Sequence, residues 1–136
     1  MVEALPLLDP SELNGFADLS ESRQNLIKVA IKTGREVAGM PYLYGGNGPA
    51  DGGFDCSGAI HYVLHKVGLK PPRTSYDQFL WVKEHAELHL VAKEVEDVDD
   101  ESFSKLKPGD LVFWCGTYEP TDGRLVKINA RNLLFT

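Results

Sequence analysis

Pro41-Tyr42-Leu43-Tyr44-Gly45-Gly46-Asn47-Gly48-Pro49-Ala50-Asp51-Gly52-Gly53-Phe54-Asp55-Cys56-Ser57-Gly58 is a glycine-rich loop that runs straight into a helical pattern. Beyond it, Ile60, Val63, Leu64 and Val67 fall at i, i+3, i+4 and i+7, the apolar face of a helix. Cys56 is therefore expected at or near the first turn. Unpaired N–H groups and the macrodipole favour an anion at a helix start. A thiol there is expected to ionise below its free value of about 8.5. The preceding glycines allow backbone approaches that a Cβ would block. This is the layout of an activated nucleophile with backbone donors beside it. The bland alternative is a small buried hydrophobe, the common state of a free cysteine. Polar Asp55 and Ser57 on either side, and six glycines from Gly45 to Gly58, weigh against it.

Three further pieces stand with Phe54-Asp55-Cys56-Ser57-Gly58 in a set order. They are Pro41-Tyr42-Leu43-Tyr44-Gly45-Gly46, then Pro72-Arg73-Thr74-Ser75 with Gln78, then Leu106-Lys107-Pro108-Gly109-Asp110-Leu111-Val112-Phe113-Trp114. In these pieces the chain resembles the NlpC/P60 family of cell-wall cysteine peptidases, whose fold is similar to a stripped-down papain. The resemblance spans roughly Glu21 to Trp114. It implies an α+β domain with N-terminal helices packed on a small antiparallel sheet. It implies Cys56 as nucleophile, Tyr42 as the tyrosine whose hydroxyl lies by it, and Asp55 and Ser57 lining the substrate's amino-terminal end. The implied substrate is the peptide stem of peptidoglycan, cut between D-γ-glutamyl and a diamino acid, in the cell envelope or outside the cell. The family also uses a histidine base and a third polar residue, usually another histidine, on strands after the Pro-Gly-Asp turn. Here the chain departs from the pattern. His61, His65, His85 and His89 all precede Pro108, and the closing segment Arg124–Thr136 resembles nothing in the family. The expectation is a sheet incomplete at its C-terminal side and a peptidase impaired for want of its base. The alternative is a non-catalytic relative that binds wall peptides, or a truncated fragment.

The chain has 136 residues, enough for one compact domain. We divide it into a lead segment, 1–19, and the main domain, 20–136. A net charge of −6 argues against a nucleic-acid footprint. There is no apolar run of membrane-spanning length, and no signal peptide is visible after Met1. Two cysteines make no disulfide framework, and Cys115 reads as core within a buried strand, Leu111–Cys115. Oligomeric state is not legible.

Asp9-Pro10-Ser11-Glu12 reads as a capped helix start, cut short by Asn14-Gly15. A helix near 21–38 follows, capped by Ser20, with Leu26, Ile27, Ala30, Ile31 and Val37 as its apolar stripe and Gly39 as its stop. The Cys56 helix is expected to reach about Val67 and end at Gly68. Thr74-Ser75-Tyr76-Asp77 resembles a capping box and opens a helix to about Glu84. The acidic run Glu94–Glu101 lacks the glycine and spacing of a calcium loop and reads as a solvated loop. Lys107-Pro108-Gly109-Asp110 is a turn into the apolar strand, and Leu125–Ile128 is a candidate for one more strand.

The histidines form two pairs at i, i+4, a spacing that can chelate zinc on a helix. No zinc-protease motif accompanies them. A half-exposed helix face accounts for His61 and His65, and His89 falls where a strand can begin. No metal or cofactor is expected from this reading.

Overall fold

The computed structural model of the protein describes residues 9–91, 101–114 and 133–135. The chain divides into two compact units, Met1–Trp81 and Val82–Thr136. The α+β class expected from the sequence is the one observed.

In the first unit, Asp9 caps a single 3-10 turn, Pro10–Glu12, its carboxylate accepting from the Ser11 N–H at 2.9 Å. Leu13 closes that turn, and Gly15, at φ 79°, starts a second, Phe16–Asp18. Helix α1, Glu21–Glu36, follows with Ser20 as its cap. Gln24 on α1 donates to the carbonyls of Phe16 and Leu19 at 3.0 and 3.1 Å, which ties the lead segment down. Phe16, Ile27 and Val37 are buried and form the unit's apolar centre. The stripe foreseen for α1 is only partly the buried one. Leu26 is exposed, while Thr33, between Ala30 and Val37 on the helical repeat, is buried.

Strands β1, Asn47–Gly48, and β2, Gly53–Phe54, pair antiparallel around the turn Pro49–Asp51. The turn is stapled by Asp51, whose Oδ2 accepts from the Asn47 backbone and side-chain N–H groups at 2.9 and 3.2 Å. Helix α2, Cys56–Lys66, packs against α1 and β1. Phe54 and Tyr62 stack across the hairpin and helix with centroids 6.3 Å apart. Helix α3, Ser75–His85, begins at the foreseen capping box. Thr74 Oγ1 donates to Asp77 Oδ2 at 2.8 Å and accepts from the Asp77 N–H at 3.2 Å.

In the second unit, β3, His89–Val91, β4, Val112–Trp114, and β5, Leu133–Phe135, form an antiparallel sheet in the order β3-β5-β4. The Lys107–Asp110 turn feeds β4, with Gly109 at φ 89° and the Lys107 N–H donating to Asp110 Oδ2 at 2.9 Å. The sequence offers no place in a sheet for the closing residues, yet Leu133–Phe135 is the middle strand. The physical reason is pairing. Two separated strands each present an edge, and one strand between them satisfies both. Cys115, Leu125–Ile128 and the acidic run before Glu101 lie outside the described residues.

Candidate active site

Cys56 is the first residue of α2, as its sequence context requires, and it is exposed. Asp55 is the N-cap. Its extended backbone places Oδ1 to accept from the Gly58 N–H at 2.8 Å. The same carboxylate reaches back ten residues, where Oδ2 accepts from the Gly45 N–H at 2.9 Å. Gly45 can present that N–H because it sits at φ 78°, a left-handed conformation open to glycine. One side chain thus joins the start of the Cys56 helix to the start of the glycine-rich loop.

Arg73 closes the arrangement. Its Nη2 lies 3.0 Å from Asp55 Oδ1 and donates to the Gly46 carbonyl at 2.9 Å. Nη1 donates to Ser57 Oγ at 2.8 Å, and Nε donates to Asn47 Oδ1. Ser57 Oγ in turn donates to Asp55 Oδ1 at 3.3 Å. The planar guanidinium fork is what permits four partners at once. Gln78, 2% exposed, adds a tie from α3, donating to the carbonyls of Ser57 and Pro72 at 3.0 and 2.9 Å. Gly58 is where these pieces meet. A Cβ there would collide with the Gly46 carbonyl oxygen and press on Arg73 Nη2 and Asp55 Oδ1, both at 3.0 Å.

Burial raises the Asp55 pKa. The Gly45 and Gly58 N–H groups and the Arg73 guanidinium together outweigh it, and the carboxyl is held below its ordinary value. Tyr42 bridges to Phe54 and is 69% exposed. Its phenol is pushed above its ordinary value by desolvation first, then by the charges of Cys56, Asp55 and Tyr44. His61 is held below its ordinary value by burial first, then by His65 and Arg73.

The structure thus brings Cys56, Asp55, Ser57 and Tyr42 into one neighbourhood. It adds Arg73 and Gln78, which the sequence shows inside a motif but without a task. A buried Gln and an Arg following a Pro-Pro pair are the signals that point to them. An open groove of about 610 Å³ lies elsewhere, lined by Pro10 and the α1 residues Lys28, Ile31, Lys32, Arg35 and Glu36, and no residue of the cysteine loop. Among the described residues, no cluster of three or more His, Cys, Asp or Glu is placed to hold a metal ion. No helix among them is long and apolar enough to cross a membrane.

The sequence model of the NlpC/P60 family matches residues 39–125. The chain is 33% identical over 92 residues to the bifunctional muramidase/DL-endopeptidase CwlT of Bacillus subtilis, covering 68% of this chain and 23% of that protein. It is 40% identical over 84 residues to the probable endopeptidase p60 of Listeria monocytogenes, covering 62% of this chain and 14% of that one. It is 32% identical over 124 residues to the peptidoglycan endopeptidase RipB of Mycobacterium tuberculosis, covering 83% and 43%. In each case the chain spans less than half of the relative. A solved structure of an NLP/P60 family protein similar to lipoprotein, from Staphylococcus aureus, superposes with a TM-score of 0.52 at 26% identity, covering 74% of this chain and 27% of that one.

Proposed function

From the premise that this chain belongs to the NlpC/P60 family, we propose that it engages the peptide stems of peptidoglycan at the Cys56 site and is a hydrolase impaired at the proton-transfer steps. The observation that carries the reading is the exposed Cys56 at the first position of a helix capped by Asp55. The sulfur attacks the carbonyl carbon of the D-γ-glutamyl amide to the diamino acid. The tetrahedral oxyanion is stabilised by first-turn N–H groups, which no intrahelical carbonyl claims. Collapse expels the amine, which must take a proton, and water then hydrolyses the thioester. Tyr42 positions the reacting carbonyl beside the thiol. Asp55 and Ser57 line the substrate's amino-terminal end. Much of their hydrogen-bonding capacity is already committed to Gly45, Gly58 and Arg73, so they act as a rigid wall.

The proton is the weak point. No histidine follows Pro108, where the family's base is expected. General acid–base catalysis contributes about 10²–10⁴-fold, and the members of a catalytic unit lose most of their effect together. A second reading is a wall-peptide-binding relative that does not cut. Either reading places the protein in the cell envelope or outside the cell.

The test is fragment release from purified peptidoglycan or from a γ-D-glutamyl-diamino acid peptide, with calorimetric binding of the same peptide, for the parent and Cys56→Ala. Saturable binding with very slow or no release is expected. Clear turnover lost in Cys56→Ala would show a working base and direct substitution to His61 and His65. Absence of both binding and turnover would overturn both readings.

A further inference from the structure

We propose that His61 and His65 form a chelating site for a borderline transition-metal dication, of the Zn²⁺, Ni²⁺ or Cu²⁺ kind, on α2. The proposal is independent of the peptidase reading. It rests on how the two rings stand. Residues four apart share a helix face, and here the ring centroids are 4.8 Å apart with planes at 51°. A metal bound at about 2.0–2.1 Å from an imidazole nitrogen lies about 3.2 Å from that ring's centroid. Two imidazoles held at a bite angle of about 90–110° then have centroids about 4.5–5.2 Å apart. The observed separation falls inside that window. His61 is half-buried and His65 exposed, so the pair is partly anchored and still open to solvent.

The second histidine pair shows that spacing alone is not the argument. His85 is the last residue of α3 and His89 the first of β3, so they do not share a helix face. Each instead lies beside a glutamate, His85 4.0 Å from Glu84 and His89 3.5 Å from Glu87. Two cations near this stretch each have a further partner. Arg73 is paired with Asp55, and the Lys66 ammonium sits 5.4 Å from the Tyr62 ring centroid. With two protein ligands, water completes the coordination. The imidazole pair selects borderline metals over Mg²⁺ or Ca²⁺, and Cu²⁺ binds tightest. Such a clamp ties two turns of the helix that begins at Cys56, so occupancy stabilises the folded chain.

The experiment titrates Zn²⁺ and Ni²⁺ into Cys56→Ser protein, which removes the exposed thiol as a competing ligand. Calorimetry, imidazole NMR resonances and melting temperature are the readouts. Expected are one metal per chain, shifts confined to His61 and His65, and a melting temperature that rises with metal concentration. His65→Ala, at an exposed position, should weaken binding by at least about tenfold through loss of the chelate. His61→Ala should do the same, and His85→Ala should do nothing. The parent protein with Cys56 alkylated repeats the test should the serine variant fold poorly. No saturable binding, unchanged binding in both His61→Ala and His65→Ala, or loss on His85→Ala would each overturn the site.

Discussion

Arg73 Nη2 stands 3.0 Å from Asp55 Oδ1, with the two side chains 30% and 11% exposed. The arginine thereby secures the residue that caps the Cys56 helix, from a segment beyond that helix's far end. Removing one partner of a fully buried pair costs about 3–5 kcal/mol. Solvent screening at Arg73 reduces this, and we expect Arg73→Ala to cost about 1–3 kcal/mol in urea unfolding. Arg73→Lys keeps the charge but not the fork, and should fall between parent and alanine. A change under about 0.5 kcal/mol for alanine would mean the pair contributes nothing measurable.

The same carboxylate sets a pH dependence. The Asp55 pKa is lower folded than unfolded, so the unfolded chain takes up the proton first as pH falls. Its contribution is complete above the unfolded value of about 3.9 and is lost as pH drops through the folded value. Stability measured against pH should fall more steeply below about pH 4 in the parent than in Asp55→Asn. Parallel curves would refute the assignment.

Two glycines should respond oppositely to alanine. At Gly58 a Cβ meets the Gly46 carbonyl, part of the backbone, so the loop must shift. Overpacking of this kind costs about 1–3 kcal/mol. At Gly34, within α1, a Cβ meets nothing within 4 Å. There alanine should stabilise by about 0.5–1 kcal/mol through helix propensity and unfolded-state entropy. Denaturant midpoints of the two variants decide both.

Tyr42 should titrate above the ordinary tyrosine value, and part of that elevation should disappear in Cys56→Ser, because the thiolate is one of its causes. The readout is the Tyr42 ring-carbon NMR shift against pH. An identical midpoint in parent and variant would place Tyr42 outside the thiol's electrostatic reach.

Alkylation should mark Cys56 in the folded protein ahead of Cys115, since Cys56 is exposed at a helix start and Cys115 follows an apolar strand run. Timed iodoacetamide labelling with peptide mapping tests this. Equal rates, or faster labelling of Cys115, would remove the case for Cys56 as the reactive thiol.

Cys56 at the head of α2 was legible because two local signals coincide, a capping aspartate and an apolar repeat right after it. The Thr74–Asp77 box and the Pro108-Gly109 turn were legible for the same reason, each closed within four residues. The task of Arg73 was not. Its partners Asn47 and Gly46 lie 26 and 27 residues away, and a contact at that range leaves no periodicity to read. Nor was β5, whose pairing is decided by the edges of β3 and β4 and not by its own three residues. Thr33 misled the reading of α1 in another way, as a polar side chain taking a buried place while Leu26 stayed exposed.

The strand order β3-β5-β4 also bears on when the second unit can take shape during synthesis. His89 pairs with Phe135 and Val112 pairs with the same residue, so neither earlier strand has its partner until residues 133–135 have been made and have cleared the ribosome. The first unit has no such wait. Its hairpin, its cap and the Arg73 tie all close within residues emitted long before. The surroundings of Cys56 can therefore form on the nascent chain while β3 and β4 still carry open edges. A stalled or prematurely released product would carry a finished thiol site in its first unit and, in its second, strands prone to pairing with a neighbour.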